Sequence, residues 1–297
     1  HIQTKTSNKI LEIVKRMTLA LKLEPYDIKN HTGFMRFLMI RHSALTDEIM
    51  VNIVTSKNQH KKLQPIVEEL VKNIPTIISI VNNITSRRSG VSKGEEQLIL
   101  FGKDTINEQL NNYQFMISAD SFFQTNTKQA EKLYQIIKEE ASLTKNDILY
   151  DLFCGTGSIS IYLAKLAKKV YGFEIEMSAV QDAIQNAYEN NINNAWFFNG
   201  DLMNLFKTNK EAQQIESADV IIVDPPRAGL HPNTIIDIVS QKPKRLIYVS
   251  CNPATQARDL KLLCEDDFKL IKVRPIDMFP HTPHVENVAT LIHKSKN

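Results

Sequence analysis

The second half of the chain alternates short, unbroken apolar runs with segments whose apolar residues recur at helical spacing. The apolar runs predict strands, and the segments between them predict amphipathic helices. Unbroken apolar strands separated by helices are typical of a doubly wound, mostly parallel sheet. Helices are predicted over 128–141, 158–168, 177–191, 203–214, 233–240 and 254–264, and strands over 147–153, 169–174, 195–199, 218–223, 245–250, 268–276 and 287–293.

The two ends of this pattern differ from its middle. The last two predicted strands have no helix between them, so we expect an antiparallel pair at one edge of the sheet. The first part of the chain predicts helices over 6–23 and 61–72 among strand-like runs over 34–41, 49–55, 77–81 and 97–101. We therefore predict a small α+β domain over 1–120, which contacts RNA, followed by an α/β domain over 121–297.

Charge and composition narrow the class of protein. The net charge is +3, but residues 1–115 contain 16 Lys and Arg against 11 Asp and Glu. This basic half favours a polyanion partner, although an ordinary solvated surface gives the same balance. No run approaches the roughly 18 apolar residues of a membrane span, and no leader is evident, so we expect no membrane attachment.

The cysteines and the first residue add two expectations. Three cysteines without paired spacing disfavour a disulfide framework and favour a cytoplasmic protein. Because the chain begins with His1 rather than methionine, we expect a fragment or a processed form.

A glycine-containing turn, Asp151-Leu152-Phe153-Cys154-Gly155-Thr156-Gly157, follows the strand predicted over 147–153. Gly155 and Gly157 would let the backbone turn tightly and approach a ligand at a helix N-terminus. A dinucleotide fingerprint requires a third glycine where Ser160 stands, which disfavours a dehydrogenase. Asp151 would repel a pyrophosphate but could hold an ammonium group.

Two further acids end the next two predicted strands. Glu174 is placed to accept the hydroxyls of a ribose, and Asp201 to accept the amine of adenine. Each acid could instead cap the following helix, but acids at three consecutive strand ends favour a ligand. The order Asp-x-Phe-x-Gly-x-Gly, Glu, Asp resembles that of Rossmann-like methyltransferases, which implies S-adenosylmethionine as the cofactor.

Cys251 follows an apolar run at a predicted strand end, where open α/β sheets carry their chemistry. A thiolate is needed to methylate C5 of uracil, because C5 becomes nucleophilic only after addition at C6. A helix beginning near Pro253 would lower the pKa of the thiol, whereas plain packing is the alternative for any buried cysteine. Methylation of an exocyclic amine needs no thiol and commonly has an aromatic residue after the motif Asp224-Pro225-Pro226. Arg227 stands there instead, suited to a phosphate or to the neighbouring acid.

The base for such a reaction must come from another segment. Pro280 and Pro283 bound a loop that could bring Glu286 to the same sheet edge as Cys251. His281 and His284 beside Glu286 raise the possibility of a metal site. There is no fourth ligand nearby and the chemistry needs no metal, so we expect none.

Five segments in this order resemble the RNA uracil-C5 methyltransferase family, whose members form 5-methyluridine in ribosomal and transfer RNA. The resemblance covers residues 121–286 and, more loosely, residues 30–120. It implies a Rossmann-like class I methyltransferase domain. The segments are Ser-Phe-Phe-Gln-Thr-Asn (121–126), Asp-Leu-Phe-Cys-Gly-Thr-Gly (151–157), Asp-Pro-Pro-Arg-Ala-Gly (224–229), Ser-Cys-Asn-Pro-Ala-Thr (250–255) and His-Thr-Pro-His-Val-Glu (281–286).

The resemblance implies a role for each matching residue. Cys251 would be the nucleophile and Glu286 the base that removes the C5 proton. Residues implied to hold S-adenosylmethionine are Gln124, Phe153, Gly155, Gly157, Glu174, Asp201 and Asp224, together with Ser158, where some members carry an asparagine. Residues expected to contact RNA are Phe122, Asn126 and Arg227.

The family also bears on Phe122 and Phe123. An aromatic side chain can fill the space left by an unstacked base, and we expect one of the two rings to do so while the other packs in the core. Phe122-Phe123-Gln124 is closer to the 23S ribosomal RNA branch than to the transfer RNA branch. The resemblance therefore implies a uridine in ribosomal RNA, with transfer RNA as the alternative.

Two departures and two rival functions remain. Many members begin with a β-barrel RNA-binding domain, which would have to precede His1. Some bind an iron–sulfur cluster through four cysteines outside the motifs, whereas here only Cys264 lies outside them, so we expect no cluster. We also expect a monomer. Cytosine-C5 methylation is disfavoured because the place of its second cysteine is taken by Pro226-Arg227. A non-catalytic RNA-binding protein is disfavoured because both the thiol and the acid are present.

Overall fold

The computed structural model describes residues 3–88, 94–203, 213–265 and 267–294. Contacts along the backbone divide the chain into two compact units. Unit 1 comprises residues 1–109 with 116–120, and unit 2 comprises residues 110–115 with 121–297. Within those described ranges, no helix combines the length and apolar character needed to span a bilayer.

Unit 1 is built around a four-stranded sheet in the order β1-β2-β3-β4. The strands β2 and β3 are parallel, and the other two pairs are antiparallel. A parallel pair requires a crossover, which helix α2 supplies after a 3-10 turn at His60–Leu63. The elements are α1 (Lys5–Ala20), β1 (Met35–His42), β2 (Ile49–Thr55), α2 (Gln64–Asn73), β3 (Ile77–Ile84) and β4 (Glu96–Gly102).

The core of unit 1 lies between this sheet and its two helices. Ile10 and Val14 of α1 and Leu70 of α2 pack with Val51 and Ile53 of β2. The predicted helices and strands of this region are confirmed, with ends that shift by a few residues. Strand β2 coincides with its predicted range of 49–55.

A hairpin of β5 (Thr105–Leu110) and β6 (Tyr113–Ser118) was not predicted. Burial alternates along β5, as it does in a half-buried strand, but one of the inward positions is an acid, Glu108. The carboxylate of Glu108 accepts hydrogen bonds from the Ser43 hydroxyl and the Ala44 amide, which compensate for its burial. A charged residue on the inward face hid the alternating pattern.

Unit 2 contains a seven-stranded sheet in the order β12-β13-β11-β10-β7-β8-β9. The strands β7 to β11 are parallel, and β13 runs antiparallel to both of its neighbours. The strands are β7 (Ile148–Leu152), β8 (Lys169–Glu174), β9 (Ala195–Asn199), β10 (Val220–Val223), β11 (Arg245–Ser250), β12 (Phe268–Ile276) and β13 (Glu286–His293). The predicted α/β fold and its antiparallel edge pair are therefore confirmed.

The helices of unit 2 largely follow the predicted ranges. They are α3 (Thr127–Ala141), α4 (Ser158–Ala164), α5 (Met177–Glu189), α6 (Pro232–Gln241) and α7 (Pro253–Cys264). Most of the helix predicted over 203–214 lies outside the described residues. The central strands β7 and β10 are buried along their whole length, which explains their unbroken apolar sequences.

Asp259 of α7 joins three parts of unit 2 from a fully buried position. Its Oδ2 atom accepts hydrogen bonds from the Tyr248 hydroxyl of β11 at 2.6 Å and from the Leu230 amide at 2.8 Å. Its Oδ1 atom pairs with the Arg258 guanidinium at 2.7 Å. A buried carboxylate with all these partners fixes α7 against the sheet and against the segment that follows β10.

We predict that Asp259→Asn lowers the free energy of unfolding of unit 2 by about 2–3 kcal/mol, because the amide cannot replace both the charge and the acceptors. Trp196 is the one tryptophan of the chain and lies on β9, so its fluorescence during urea denaturation reports on this unit. Asp277→Asn, at an exposed position, is the matched control and should unfold like the wild type. Equal stability of the two variants would contradict the role of Asp259.

Candidate active site

A cavity of about 670 Å³ opens at the carboxyl ends of the parallel strands of unit 2. In this sheet β7 lies between β8 and β10. The strand order runs from β7 to β9 on one side and from β10 to β11 on the other, so it reverses at β7. Crevices at such a reversal are the usual ligand sites of open α/β sheets. Of the residues singled out in the sequence, the lining includes Phe122, Gln124, Phe153, Gly155, Glu174, Asp201, Asp224, Arg227, Cys251 and Glu286.

The turn after β7 has an unusual backbone. Phe153, Gly155 and Gly157 adopt φ angles of 66°, 53° and 77°. A left-handed conformation is costly for an aromatic residue and is characteristic of functional sites. Gly157 does not line the cavity. A Cβ atom there would lie 2.9 Å from the Phe197 ring and 3.0 Å from the Ala183 Cβ, so this glycine permits close packing behind the turn.

The side chain of Glu174 is oriented by three backbone amides. Its Oε2 atom accepts a hydrogen bond from Gly155, and its Oε1 atom accepts from Ile175 and Glu176. Glu174 therefore holds the glycine turn and the start of α5 while it also lines the cavity. The capping and ligand-binding interpretations are compatible, since each carboxylate oxygen can accept more than one hydrogen bond.

Two exposed apolar residues of the lining were missed in the sequence. Ile175 follows Glu174 directly and is 57% exposed, and Met203 lies two residues after Asp201 and is 36% exposed. The Oδ1 atom of Asp201 accepts a hydrogen bond from the Met203 amide at 3.0 Å. The available signal was an apolar residue just after each strand-end acid. Together these side chains place apolar surfaces beside the two acids.

Buried carboxyl groups give the site its electrostatic character. Burial raises the pKa of Asp224, which follows β10 and lines the cavity, to about 6. Burial also raises the pKa of Asp151 to about 7, and the nearby charge of Asp224 contributes to that rise. The Ser160 hydroxyl donates to Asp151 Oδ2 at 2.6 Å, whereas Oδ1 has no hydrogen-bond partner among the described residues. Asp151 is not part of the cavity lining, although it interacts with Asp224, which is.

The pairing of β11 with β13 brings the thiol and the acid together. Ser250 is opposite Asn287 in the last pair of this antiparallel ladder. Cys251 follows Ser250 and Glu286 precedes Asn287, so both line the cavity from adjacent positions. Glu286 is the first residue of β13 and is only 6% exposed, so it lies on a buried strand end and not in the loop where we placed it. Burial raises the pKa of Glu286 to about 7, with a contribution from Asp224.

The expectation that a helix N-terminus lowers the pKa of Cys251 is wrong. Burial raises the pKa of this thiol above its usual value, and the charges of Glu286 and Asp224 raise it further. The positive charge of Arg227 opposes this shift. Helix α7 does begin at Pro253, but the side chain of Asn252 caps it by accepting from the Ala254 amide.

The same helix holds the segment that carries Arg227. The Arg227 carbonyl accepts hydrogen bonds from Asn252 Nδ2 at 3.1 Å and from the Thr255 hydroxyl at 3.2 Å. The Arg258 guanidinium donates to the Ala228 carbonyl at 2.9 Å. The backbone around Arg227 is therefore fixed beside the thiol, and its side chain lies at the cavity.

The structure separates the two adjacent phenylalanines. Phe122 lines the cavity and is 67% exposed. Phe123 is 5% exposed and packs against the Phe115 ring, with their centroids 5.5 Å apart. One ring therefore lies in the core and the other at the cavity, while Gln124 is buried in the lining.

Two other predicted residues lie outside this lining. Asn126 caps α3 by accepting from the Gln129 amide, and its Nδ2 atom donates to the Met278 carbonyl at 3.0 Å. Both polar atoms of its side chain are thus used within the protein. Ser158 borders a small chamber that also touches Gln124 and Asp224, and its hydroxyl lies 2.6 Å from the Tyr134 hydroxyl.

Comparison with solved structures identifies similar folds. The chain resembles the Pyrococcus abyssi tRNA (uracil-54, C5)-methyltransferase, solved in complex with S-adenosyl-L-homocysteine, with 35% identity and a TM-score of 0.75. That match covers 97% of this chain and 67% of the Pyrococcus chain. The tRNA m1G37 methyltransferase of M. jannaschii has 15% identity and a TM-score of 0.54, and this likeness concerns the fold alone.

Sequence comparison adds relatives and a family. The chain is 40% identical to an RNA methyltransferase of Chlorobaculum tepidum, and the match covers 95% of this chain and 59% of that protein. It is 42% identical to an RNA methyltransferase of Staphylococcus aureus, over 97% of this chain and 63% of that protein. The chain thus spans less than two thirds of the length of these relatives. A family model described as tRNA (Uracil-5-)-methyltransferase matches residues 3–294, and the chain belongs to this family.

Proposed function

We propose that the chain transfers a methyl group from S-adenosylmethionine to C5 of a uridine in structured RNA. The observation that supports this most directly is the position of Cys251 and Glu286 on neighbouring strand ends of one cavity. A thiol and a buried carboxyl at such a place match the two groups that methylation of a pyrimidine carbon requires.

The cavity fits the cofactor in size and in chemistry. Its volume of about 670 Å³ lies within the usual range for small-molecule sites. Glu174 is placed to accept the ribose hydroxyls and Asp201 the adenine amine. Ile175 and Met203 offer apolar surfaces to a flat base. These residues end or follow the neighbouring strands β8 and β9, which supports a nucleoside at this side of the cavity.

The other end of the cavity favours positive charge. Asp224 lines it, Asp151 lies beneath with an unpartnered carboxylate oxygen, and both have raised pKa values. A cation relieves such repulsion between buried acids. Gln124 and Phe153 border the same end. We therefore place the amino-acid part of the cofactor and its sulfonium centre there. When bound, S-adenosylmethionine supplies the methyl group as an electrophile.

The proposed reaction begins with the Cys251 thiolate, whose sulfur bonds to C6 of uracil and pushes the electron pair of the C5=C6 bond into an enolate. C5 would then take the methyl group, and the bond between that group and the donor sulfur would break, leaving S-adenosylhomocysteine. Glu286 removes the remaining proton from C5, the C5=C6 bond forms again, and the thiolate leaves. In sum, the uracil gains a methyl group and loses one proton to Glu286.

The electrostatics suit this order of events. A pKa of about 7 keeps Glu286 able both to accept a proton and to lose it near neutrality. The acids around Cys251 hold its pKa high in the free protein. A cationic cofactor would offset their charge and lower that pKa. We infer that the thiolate forms mainly after the cofactor binds.

The RNA target is the open part of the proposal. The Pyrococcus protein is a tRNA (uracil-54, C5)-methyltransferase and the family is named for transfer RNA, and both facts support a transfer RNA as the target. The segment Phe122-Phe123-Gln124 is the feature that favours 23S ribosomal RNA. We propose a transfer RNA first and retain ribosomal RNA as the alternative. In either case the exposed ring of Phe122 is placed to contact a base, and Arg227 a phosphate.

We predict that the chain forms a covalent adduct with RNA that contains 5-fluorouridine, because fluorine at C5 cannot be removed as a proton. Transfer RNA and 23S ribosomal RNA transcripts are incubated with the protein and S-adenosylmethionine and examined on a denaturing gel. Cys251→Ala should abolish the adduct and lower methyl transfer to ordinary RNA by roughly 10³-fold or more. Cys264→Ala, at the far end of α7, is the matched control. A chain that binds these RNAs without any adduct would instead be a non-catalytic RNA-binding protein.

Glu286→Gln should act at a later step. We predict that addition and methyl transfer continue, while release slows by about 10²–10⁴-fold because the C5 proton has lost its acceptor. The adduct should then accumulate on ordinary RNA and can be quantified on the same gels. Rapid turnover by this variant would reject Glu286 as the base.

Two substitutions should move the pKa of Cys251 in opposite directions. Glu286→Gln removes a negative charge that raises this pKa, so alkylation by iodoacetamide should begin at lower pH than in the wild type. Arg227→Gln removes the opposing positive charge and should shift alkylation to higher pH. The rate is followed by mass spectrometry of the Cys251 peptide, with the Cys264 peptide of the same digest as internal control. Shifts of equal sign would contradict this electrostatic description.

Cofactor affinity should depend on pH through Asp224. A cation binds best to an ionised carboxylate, so the affinity for S-adenosylmethionine should fall as pH drops below about 6 and Asp224 takes up its proton. Titration calorimetry between about pH 8 and about pH 5 measures this directly. Asp224→Asn should bind more weakly and with a flatter dependence, whereas Asp277→Asn should follow the wild type. An unchanged slope in Asp224→Asn would remove this acid from the site.

A further inference from the structure

A buried amide connects the helix that follows the thiol to the strand that begins with the acid. Gln256 of α7 is 1% exposed. Its Nε2 atom donates to the Tyr248 carbonyl of β11 at 2.9 Å and to the Asn287 carbonyl of β13 at 3.2 Å. Its Oε1 atom accepts from Asn287 Nδ2 at 2.6 Å. One side chain thus makes three hydrogen bonds to two strands.

These partners lie next to the reacting groups. Tyr248 is three residues before Cys251, and Asn287 immediately follows Glu286. The ladder between β11 and β13 ends with the pair Ser250 and Asn287, so Cys251 and Glu286 lie just beyond it. Backbone pairing between these two strands therefore stops one residue before both groups. Gln256 supplies an additional connection at this point.

The loop before Glu286 has a separate attachment at its other end. There the Asn126 side chain donates to the Met278 carbonyl. A change at Gln256 would thus affect the Glu286 end of this loop and leave the Met278 end attached. The effect on Glu286 can be distinguished from general loosening of the loop.

We propose that Gln256 is a positioning residue that sets the carboxyl of Glu286 against the base attached to Cys251. The proposal rests on the function proposed above, because it concerns the step in which Glu286 removes the C5 proton. Proton transfer is sensitive to displacement, and a shift of about 1 Å can cost about 10²-fold in rate. Addition of the thiol depends on Cys251 and the cofactor site, neither of which contacts Gln256 among the hydrogen bonds described for it.

The test compares two rates in the same protein. Adduct formation is measured with a transfer RNA transcript containing 5-fluorouridine, and adduct release with the ordinary transcript, both with S-adenosylmethionine. Gln256→Met keeps the length of the side chain but removes all three hydrogen bonds. We expect release to slow by about tenfold or more, while formation changes by less than about threefold. Gln181→Met, an exposed glutamine on α5, is the matched control and should leave both rates unchanged.

A second variant covers the case in which Gln256→Met fails to fold, which the fluorescence of Trp196 reports. Asn287→Val suits a strand and removes only the bond to Gln256 Oε1, so the two bonds to backbone carbonyls remain. We expect a smaller but still selective slowing of release.

The outcomes are separable. Unchanged release in both variants, or a parallel loss of formation and release in a folded variant, would overturn the positioning role. If the wild-type chain forms no adduct with the 5-fluorouridine-containing transfer RNA or 23S ribosomal RNA, the proposed function itself fails and so does the role of Gln256. If the wild type reacts normally, a null result in the variants concerns Gln256 alone.

Discussion

The direction of one strand determines whether the two proposed reacting groups can meet. The strands β7 to β11 run parallel, so their carboxyl ends form one edge, where the glycine turn, Asp224 and Cys251 lie. β13 runs the other way, and its first residue rather than its last reaches this edge. A parallel β13 would put Glu286 at the opposite side of the sheet, far from the thiol. The antiparallel insertion of β13 between β11 and β12 is thus the constraint on which the site depends.

The second theme is the concentration of buried negative charge. Asp151, Asp224 and Glu286 all have raised pKa values because burial disfavours their ionised forms, and the charge of Asp224 raises the pKa values of the other two further. Such a cluster of buried carboxyl groups does not by itself stabilise the fold, because each ionised group loses its hydration. A cationic ligand that occupies the cavity would relieve it. Burial, together with the charges of Glu286 and Asp224, also raises the pKa of the Cys251 thiol in the free protein. In the proposed function, the reactivity of this thiol therefore depends on occupancy of the cofactor site.

Much of this could be predicted from the sequence because the signals were local or periodic. Unbroken apolar runs predicted the parallel sheet, and strand β11 coincides with its predicted range of 245–250. The position of site residues at strand ends followed from the rule that parallel strands share an edge. The sequence analysis predicted that one of Phe122 and Phe123 packs in the core, since one of two adjacent side chains commonly faces inward. It did not predict which of the two does so.

The remaining features depend on contacts that no local pattern records. The hairpin β5–β6 was missed because its inward Glu108 is compensated by Ser43 and Ala44, more than 60 residues away. The direction of the pKa shift of Cys251 was predicted wrongly because burial, and then the charges of Glu286 and Asp224 from other strands, raise this pKa. Glu286 was placed in a loop because two prolines precede it, whereas the ladder with β11 and β12 makes it the start of a strand.

The position of β13 also has a consequence for synthesis of the protein. It is the last strand of the sheet along the chain, yet it is internal in space, with β11 on one side and β12 on the other. A nascent chain that has emerged only as far as β12 already contains the thiol and the cofactor turn, but β12 has no partner to pair with. Among the described strands, the sheet closes and Glu286 reaches Cys251 only when β13 inserts. Assembly of the proposed catalytic pair is therefore coupled to synthesis of β13, and a chain that stops before this strand lacks the proposed base.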